Sequence, residues 1–525
     1  MESCMRSGDV AQDGGPAIIA RALERRDATA VVDREGQWRY GDLVAASAAV
    51  AARLLGGAAD LNEARVALAI PAGGLHVAAQ WGCWRAGGVV VPLSASATVS
   101  ELERLLEDVS PIVIMVPGTP RAEVTEAARL CGVPLLYLDR EAIATVPEDS
   151  PPFPRVDPSR RAMVLFTSGT TSRPKGVVFT HQSLTAQVES LVEAWCWTAD
   201  DRIPLFLPLH HVHAIVNVMT CCLWAGGLLE AFERFDLTTI TERVIARRYT
   251  VFMAVPTIYH RLIEHIESLG DAAKGCLTAG FRDLRLMVSG SAALPASVHE
   301  HWAGLTGQSL LERYGMTETG MVLSNPYDGP RRPGAVGVPL PGVEVRLVDD
   351  AGAPVQGEGI AGEIEVRGPT VFREYWNDHD ASGAAFHDGW FRTGDVAVME
   401  SGAYRILGRK SMDIIKSGGY KLSALEIEAA LLEHPVIAEC AVVGVPDEAW
   451  GEVVAAAVVP RVDATAAGDT DGLSLEVLRD WCRSRLSPYR IPRRLLVCDS
   501  LPRNPMGKVV KPTLVDIFTR SLAAS

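Results

Sequence analysis

Residues 167–176 read TSGTTSRPKG and directly follow an apolar run, AMVLF, at 162–166. The run has the length of a buried strand, and VVFTH at 177–181 resumes the regular pattern after the loop. Small hydroxyl residues, a glycine and a lysine supply backbone N–H groups, hydroxyl donors and a mobile cation, which together suit phosphate binding. The loop is not a Walker A motif, because its lysine lies in Pro-Lys-Gly at 174–176. Taken alone, such a composition is more typical of a plain surface loop.

The whole ten-residue string resembles the phosphate loop of the adenylate-forming acyl-CoA synthetases. That superfamily also contains firefly luciferase and the adenylation domains of peptide synthetases. One position departs from the usual pattern, since Ser172 stands where the family commonly has glycine. The resemblance implies that the loop binds the phosphates of ATP and that Thr170 lies at the accompanying Mg²⁺ ion. The loop residues with this implied role are Thr167, Ser168, Gly169, Thr170, Thr171 and Lys175.

The composition is typical of a large globular enzyme. The chain has 525 residues. A single hydrophobic core is usually found in shorter chains, so we expect at least two domains. Hydrophobic residues make up 48% and charged residues 22% of the chain, which argues against disorder. A net charge of −14 argues against nucleic acid or an anionic membrane surface as the main partner. Any anionic substrate must therefore be held by local positive groups.

The cysteines and the N-terminal residues predict a cytoplasmic protein. Ten cysteines are scattered without CxxC pairs, which indicates reduced thiols instead of a disulfide framework or a zinc site. The first 15 residues lack the apolar core of a signal peptide and the arginine-rich composition of a transit peptide. No run of about 18 uncharged apolar residues occurs, so no membrane span is predicted.

Short apolar runs alternate with helical periods through the first two thirds of the chain, which indicates βαβ units and an α/β fold. After residue 334 the pattern changes to short alternating strands with glycine turns, which predicts a distorted β-barrel. We therefore expect a large N-terminal domain of two βαβ-type sheets plus the barrel (1–408), followed by a small α+β C-terminal domain (414–525). The resemblance implies that residues 409–413 form a hinge and that the small domain is mobile. The clearest predicted strands are 66–70, 89–91, 112–116, 135–138, 163–166, 205–207 and 251–254.

Two further segments match the same superfamily in the order that its chemistry requires. MVSGSAALP at 287–295 resembles the segment that forms one wall of the adenine and acyl pockets, where small side chains admit a flat base. RYGMTET at 313–319 resembles the segment in which Tyr314 would stack on adenine, Thr317 would bind the α-phosphate and Glu318 would bind magnesium. An isolated Thr-Glu pair would more often be a helix cap. The resemblance adds Ser291, Ala292, Arg313, Gly315 and Met316 to the nucleotide site and Ser289 and Gly290 to the acyl site.

The C-terminal third carries the signatures of a ribose contact, a hinge and a thiol tunnel. In WFRTGD at 390–395 the resemblance assigns Asp395 to the ribose, whose two hydroxyls suit the two oxygens of a carboxylate. Arg409 begins the predicted hinge, and either Lys410 or Asp413 could be the pivot. The residues implied to line the tunnel for pantetheine are Ser417, Gly418, Gly419 and Tyr420.

PRNPMGK at 502–508 resembles the motif of the catalytic lysine, so Lys508 would bridge the reacting carboxylate and the α-phosphate. The implied reaction has two steps and requires ATP, Mg²⁺ and coenzyme A. The carboxylate first attacks the α-phosphate to give acyl-AMP and pyrophosphate. After the small domain rotates, the thiol of coenzyme A attacks the acyl-AMP and releases AMP.

For the acid that is activated, the resemblance favours a small diacid. Segments 251–259, 313–321 and 413–428 are similar to the malonyl-CoA synthetase branch, although Thr319 and Ser172 differ from it. A buried second carboxylate needs its own cation. Arg285 is the candidate cation, and His211 is a candidate second donor. Each has an alternative: Arg285 as a solvent-facing strand residue, and His211 as a packed residue that gates the pocket.

Other functions stay open at this point. Malonate or methylmalonate is expected, but another short-chain or aryl acid fits the motifs as well. A stand-alone adenylation protein would load an acyl carrier protein, and a cluster of arginines at 483–494 could meet either an acidic carrier or the 3′-phosphate of coenzyme A. A luciferase-type oxygenase has no feature in its favour. A non-catalytic binding module would be expected to have lost Lys508 or Glu318, and both are present.

Overall fold

The computed structural model describes residues 15–145, 152–167, 174–418, 420–461, 473–503 and 509–523. The chain divides into two compact units. The first comprises Met1–Pro333, Gly337–Glu344 and Val366–Gly389. The second comprises Gly334–Val336, Val345–Glu365 and Trp390–Ser525. This division groups part of the strand-rich region before residue 408 with the C-terminal residues, and the domain boundary at residue 408 stays a prediction.

The largest sheet of the first unit has seven strands and includes the strand before the phosphate loop, Arg161–Phe166. Its inner strands are parallel and buried on both faces, as the continuous runs of valine and other apolar residues predict. The strand Gly176–Thr180 after the loop turns back antiparallel to Arg161–Phe166. In spatial order the strands are Glu374–Tyr375, Gly176–Thr180, Arg161–Phe166, Val89–Pro92, Arg65–Leu68, Val113–Pro117 and Leu135–Leu138.

A second, five-stranded sheet positions the predicted adenine and acyl segments. Its first three strands are parallel, so their carboxyl ends meet at one edge, where open α/β sheets bind ligands. Ser289 ends one of these strands and pairs with Glu312 of the next. The third strand then turns back as an antiparallel hairpin through 317–319. In spatial order the strands are Val251–Ala254, Leu286–Ser289, Leu311–Met316, Gly320–Ser324 and Val338–Pro339.

A four-stranded sheet completes the β-structure that matters for the first unit, in the order Gly36–Arg39, Thr29–Asp33, Leu228–Ala231 and Arg202–Leu205. Helices connect the strands of the three sheets. One of these helices, His181–Ala194, begins where Thr180 accepts a hydrogen bond from the backbone of Ser183 and Ser183 accepts one from the backbone of Thr180. The helices of this unit are Ala17–Glu24, Tyr40–Leu55, Gly74–Arg85, Val99–Val109, Ala122–Cys131, His181–Ala194, Cys221–Ala225, Leu237–Ile245, Pro256–Ser268, Asp271–Arg282, Ala296–Thr306 and His379–Ala385.

The apolar run at 213–229 forms a buried helix followed by a strand, as its length and glycines predict. Its first part, His213–Thr220, is a π-helix. This form is rare in proteins, and where it occurs it is frequently part of a functional site. The next residues form the short helix Cys221–Ala225, which ends at Gly226 in the left-handed conformation with φ of 84°. Within the part of the chain that the structure describes, no helix is long and apolar enough to cross a membrane.

The second unit contains two sheets. One includes the strands Glu344–Val348, Gly362–Arg367, Trp390–Glu400 and Ala403–Arg409 from the region with glycine turns. The other is a five-stranded sheet that begins at the end of the predicted hinge. Its central hairpin pairs Ile437–Asp447 with Gly451–Pro460. The remaining strands of this sheet are Ile414–Ser417, Tyr420–Ser423 and Arg494–Val497.

Helices cover both faces of the five-stranded sheet, because side chains alternate along its strands. Val442 and its neighbours of the same parity pack against the helices Ala424–Leu432 and Leu475–Arg483. Val443 and its neighbours pack against the C-terminal helix Lys511–Ala523. The unit is therefore an α+β structure with two small cores, in agreement with the predicted fold class.

Candidate active site

Three elements of the first unit meet at Ser291, which follows the carboxyl end of the strand Leu286–Ser289. Ser291 is exposed at the turn after the strand and has a positive φ of 70°. Its Oγ lies 3.0 Å from Nδ1 of His213, the first residue of the π-helix. Nη2 of Arg313 lies 3.4 Å from the same oxygen. The predicted acyl wall, the π-helix and the predicted nucleotide strand thus share one polar contact.

Arg313 is a deeply buried cation without a counter-ion among the described residues. The residue is only 4% exposed, and its Nε has no hydrogen-bond partner there. Burial lowers the pKa of Arg313 to about 10, so the guanidinium remains charged at neutral pH. A buried charge is costly unless it is paired. The arrangement is suited to an anion that arrives with the substrate.

His213 stays neutral beside this cation. Burial, with Arg313 and His211 as further causes, holds the pKa of His213 well below its ordinary value. Its Nε2 has no partner within the described residues, and neither do the amide atoms of Asn217 on the same π-helix. His211 lies with its ring centroid 4.0 Å from that of His210, so the two rings are packed together. The π-helix therefore offers neutral polar groups, not a second cation.

The end of the phosphate loop is linked to Glu318 through Tyr375. The hydroxyl of Tyr375 donates a 2.9 Å hydrogen bond to Oε1 of Glu318. Nζ of Lys175 lies 4.7 Å from the centroid of the Tyr375 ring, in a cation–π contact. Tyr375 reaches this position because its strand pairs antiparallel with Gly176–Thr180. No sequence pattern indicated Tyr375, which lies in no motif and is separated from Glu318 by more than fifty residues.

The hairpin that carries 317–319 is held tightly at its base. A Cβ at Gly315 would lie 2.1 Å from the carbonyl oxygen of Gly320, so only glycine fits there. Gly320 has a φ of 63°, and Oε1 of Gln187 accepts a 2.5 Å hydrogen bond from the backbone of Met321. The pairing of the hairpin strands therefore fixes the backbone positions of Tyr314 and Met316, and Thr317 follows directly in the turn. Gln187 is a second supporting residue that sequence patterns did not indicate.

Asp395 and Arg409 are brought together in the second unit. They face each other in the antiparallel pair of strands, and Nε of Arg409 lies 2.9 Å from Oδ1 of Asp395. Nη1 of Arg409 also donates to the carbonyl of Thr393 at 3.1 Å. Lys410 forms ion pairs with Glu363 at 2.9 Å and Asp350 at 3.3 Å. The predicted ribose contact and the first hinge residues are thus neighbours.

The predicted tunnel loop is shaped by Trp450. Gly418 has a φ of 56°, and a Cβ there would lie 2.7 Å from Cε3 of Trp450. The backbone of Gly418 also donates to the carbonyl of Trp450 at 2.8 Å. Tyr420 is 54% exposed and stacks on Tyr489 with centroids 4.5 Å apart. The loop therefore packs Gly418 against Trp450 and, two residues later, Tyr420 against Tyr489.

Comparison with known proteins identifies the family. The model of the AMP-binding enzyme family matches residues 19–376, and the model of the AMP-binding enzyme C-terminal domain matches residues 426–508. The chain is an AMP-binding enzyme. It is 42% identical to "Malonate--CoA ligase ACSF3, mitochondrial" of Bos taurus, over 96% of this chain and 90% of the relative.

Solved structures resemble the AMP-binding enzyme over nearly its whole length. ATP-bound MatB from Rhodopseudomonas palustris superposes with a TM-score of 0.84 at 33% identity, over 96% of this chain and 99% of the other. A malonyl-CoA ligase in a ternary product complex with methylmalonyl-CoA and AMP gives a TM-score of 0.66 at 39% identity, over 91% and 97%. The fold predicted from the motifs is therefore confirmed.

Arg285 of this AMP-binding enzyme does not occupy the role predicted for it. Its Nε and Nη2 donate to Asp201 at 2.6 and 2.5 Å, and its Nη1 donates to the carbonyl of Trp195 at 3.0 Å. Asp201 is almost fully buried and also accepts from the hydroxyl of Thr250. Arg285 directly precedes the strand that ends at Ser289, so it lies at the amino end. The structure argues against the prediction that Arg285 binds a substrate carboxylate, because its guanidinium already binds the carboxylate of Asp201.

Several predicted site residues of the AMP-binding enzyme lie outside the described residues. They comprise most of the phosphate loop, one tunnel glycine and the catalytic lysine: Ser168, Gly169, Thr170, Thr171, Gly419 and Lys508. Their roles stay predictions. The described residues on either side nevertheless fix where the chain enters and leaves two of these segments, since Thr167 donates its backbone N–H to the carbonyl of Lys175 at 2.9 Å and Arg503 pairs with Val509.

Proposed function

We propose that this chain is an ATP-dependent malonate–CoA ligase that forms malonyl-AMP and then malonyl-CoA. The family supports an AMP-forming acid–thiol ligase. The relatives named as malonate–CoA ligases support the acid. In the first step one carboxylate of malonate attacks the α-phosphate and displaces pyrophosphate. In the second step the thiol of coenzyme A attacks the acyl carbon and displaces AMP.

The observation that carries the proposal is the uncompensated guanidinium of Arg313. Malonate has two carboxylates, and only one reacts with ATP. The other must be desolvated in the acyl pocket, and it remains stable there only with a cation and hydrogen bonds. Arg313 supplies the cation with a planar set of donors, and Ser291 and neutral His213 lie beside it as polar neighbours. A monoacid would leave the charge of Arg313 unpaired.

Small residues beside Arg313 support methylmalonate as a second substrate. Gly290, Ser291 and Ala292 form the turn next to the guanidinium, so side chains take little of the space there. The solved malonyl-CoA ligase complex contains methylmalonyl-CoA. We therefore expect malonate and methylmalonate to be better substrates than succinate, whose longer chain moves the second carboxylate away from the first.

The remaining described residues suit ATP and its magnesium ion. Mg²⁺ in nucleotide sites commonly uses one or two carboxylates and keeps waters and phosphate oxygens as its other ligands. Glu318 provides one carboxylate, oriented by Tyr375, and the ion would neutralise phosphate charge. Thr317 would bind the α-phosphate and Lys175 the outer phosphates, while Tyr314 would stack on adenine. Asp395, Arg409 and Lys508 complete the proposed set, with Lys508 at the reacting carboxylate.

For the acceptor, the arginines of the second unit favour a compact phosphate-bearing molecule. Arg485, Arg490 and Arg494 each have a carboxylate neighbour, at 3.5, 3.0 and 3.6 Å. Arg479, Arg483 and Arg493 line a cleft of about 320 Å³, and Arg483 also forms an ion pair with Asp480 on its own helix. Arg493 also stacks 3.8 Å from the ring of Trp450, which contacts Gly418 of the tunnel loop. These contacts support free coenzyme A over an acyl carrier protein. Cytoplasmic location stays a prediction.

The test is a product assay with purified protein, ATP, Mg²⁺ and coenzyme A. Pyrophosphate release and thioester mass are measured for acetate, malonate, methylmalonate, succinate, octanoate and benzoate. The proposal predicts that malonate has the highest kcat/KM and that malonyl-CoA and AMP accumulate together. A preference for a monoacid would overturn the substrate. If pyrophosphate is released with coenzyme A but a thioester forms only after an acyl carrier protein is added, the proposal that coenzyme A is the acceptor would be overturned.

A further inference from the structure

Lys511, the first residue of the C-terminal helix Lys511–Ala523, lies buried between two carboxylates. Its Nζ lies 2.5 Å from Oδ1 of Asp413 and 2.8 Å from Oε1 of Glu428. The three side chains are 10%, 12% and 15% exposed. Ion pairs on the protein surface contribute little to stability. In a buried pair, by contrast, removal of one partner leaves an uncompensated charge, so the two side chains must stay together. The mechanism described above makes no use of this triad.

The two carboxylates come from different elements of the second unit. Asp413 is the last residue of the predicted hinge, and its Oδ2 accepts the backbone N–H of Arg409 at 3.0 Å. Its own backbone N–H returns to the carbonyl of Arg409 at 2.8 Å, which closes the turn 409–413. Glu428 lies on the helix Ala424–Leu432 and accepts the backbone N–H of Val442 at 2.8 Å. Lys511 therefore joins the hinge turn, a helix and a central strand.

The charges make the lysine indispensable to this arrangement. Burial alone would lower the pKa of Lys511, but Glu428 and Asp413 together raise it above its ordinary value. Burial raises the pKa of Glu428, and the charge of Lys511 opposes that shift. Without the cation, two carboxylates would face each other in a dry site, and at least one would have to move or bind a proton.

The triad lies at the base of the segment that carries Lys508. Arg503 and Val509, the described residues on either side of 504–508, pair as an antiparallel bridge. The backbone N–H of Val510 donates to the carbonyl of Pro502 at 2.8 Å, which extends the same pairing by one residue. Lys511 follows immediately. The described residues on either side of 504–508 are therefore paired with each other, and Lys511 attaches them to the hinge turn through one side chain.

We propose that Lys511 is a positioning residue for adenylate formation. It attaches the paired residues Arg503 and Val509, which flank 504–508, to Asp413 of the hinge turn, and Lys508 lies between these two anchors in the sequence. This inference rests on the proposed function, in which Lys508 acts only while acyl-AMP forms. Adenylation should then depend on how firmly these anchors are held, since a displacement of about 1 Å at a reacting group can reduce a rate by about 10²-fold. Thioester formation from preformed acyl-AMP does not need Lys508 and remains intact.

The test separates the two half-reactions in full-length protein. Malonate-dependent ATP–pyrophosphate exchange reports adenylation, and thioester formation from supplied malonyl-AMP and coenzyme A reports the second step. Lys511→Met removes the charge and keeps the length of the side chain, whereas Lys511→Arg keeps the charge. Arg520→Met, an exposed position on the same helix, is the matched control. Glu428→Gln is a milder variant that retains the contact between Lys511 and Asp413.

For Lys511→Met we expect exchange to fall by about 10²-fold, with thioester formation within a few-fold of the unchanged protein. Lys511→Arg should recover most of the exchange, and Arg520→Met should lose none. An equal fall in both half-reactions, or no fall in either, would overturn the inference. If Lys511→Met does not fold, Glu428→Gln decides by the same ratio, with a smaller selective loss expected. Failure of the unchanged protein to exchange pyrophosphate with malonate would instead overturn the proposed function.

Discussion

The guanidinium of Arg313 lies directly against the backbone of Gly290. A Cβ at Gly290 would lie 2.5 Å from Cζ and 2.6 Å from Nε of Arg313. Real Cβ atoms do not approach other atoms so closely, so any side chain at residue 290 must push the guanidinium away. The smallest possible substitution at this glycine therefore tests the position of the cation without removing its charge.

Gly290→Ala should reduce kcat/KM for malonate by about 10–10²-fold, since a displacement of about 1 Å has effects of this size. The KM for ATP should change little. Initial rates of pyrophosphate release at varied malonate and ATP provide the measurement. Gly304→Ala is the control, because a Cβ at Gly304 meets no atom within 4 Å and its helix should be stabilised slightly. Unchanged malonate kinetics in Gly290→Ala would contradict the proposed position of Arg313.

Arg285→Met should destabilise the protein without changing its choice of acid. Removing Arg285 leaves Asp201 buried with no cation, and breaking such a pair typically costs about 3–5 kcal/mol. Denaturant unfolding measures the loss, and Arg285→Met with Asp201→Asn should recover part of it. The ratio of kcat/KM for malonate to that for butyrate should stay constant. A selective loss of malonate activity would restore the substrate role that the structure argues against.

Glu312 should make the stability of the first unit depend on pH. Its residue is 4% exposed, and burial raises the pKa of Glu312 from 4.5 to about 7, although the backbone of Leu294 donates to it. Because the folded pKa lies above the unfolded one, this contribution to stability is complete below about pH 4.5 and is lost as the pH rises through about 7. The difference is roughly 3 kcal/mol, at ~1.36 kcal/mol for each pKa unit.

Between pH 5 and pH 8 the Tm of Glu312→Gln should therefore decrease less than the Tm of the unchanged protein, because the variant has no carboxyl to ionise at this position. Thermal unfolding at closely spaced pH values measures the two profiles. Glu242→Gln, at an exposed position in the same unit, should follow the unchanged protein. Parallel profiles for Glu312→Gln and the unchanged protein would mean that this carboxyl titrates normally.

Gly418→Ala should slow thioester formation while adenylation continues. Gly418 has a φ of 56°, and a Cβ added there would lie 2.7 Å from the ring of Trp450. The loop must therefore rearrange to accept alanine. Gly402→Ala is a matched control, since Gly402 has a φ of 77° but open space around its Cβ position. Quenched-flow assays should detect accumulated malonyl-AMP in Gly418→Ala only. Equal loss of both steps would indicate that Gly418 serves folding alone.

Much of the fold was predictable because its elements have strong local patterns. The strands Leu135–Leu138 and Val251–Ala254 have the predicted bounds, since each is a short apolar run between polar or glycine-rich residues. The family was predictable for a different reason: its motifs are long strings whose order is fixed by the chemistry. The π-helix His213–Thr220 was not, because all of its residues are buried and no exposed polar face reveals the helical period.

The contacts of charged side chains were the least predictable part of the site. Arg313 lies in a strand of the second sheet of the first unit, and Arg285 directly precedes another strand of that sheet, so the two arginines have similar positions in the sequence pattern. Only the structure shows that Asp201, more than eighty residues away, neutralises one of them and that the other lacks a carboxylate neighbour among the described residues. Tyr375 was missed for the same reason, since its contact with Glu318 depends on pairing between distant strands.

The central claim is that Arg313 binds the second carboxylate of the substrate, and one ratio tests it most directly. Steady-state pyrophosphate release gives kcat/KM for malonate and for butyrate in the unchanged protein and in Arg313→Met. Truncating one member of a buried charge pair costs about 3–5 kcal/mol, so malonate should lose about 10²–10⁴-fold. Butyrate, which has no second charge, should stay within a few-fold or improve. An equal loss for both acids would contradict the account and assign Arg313 to the nucleotide or to folding.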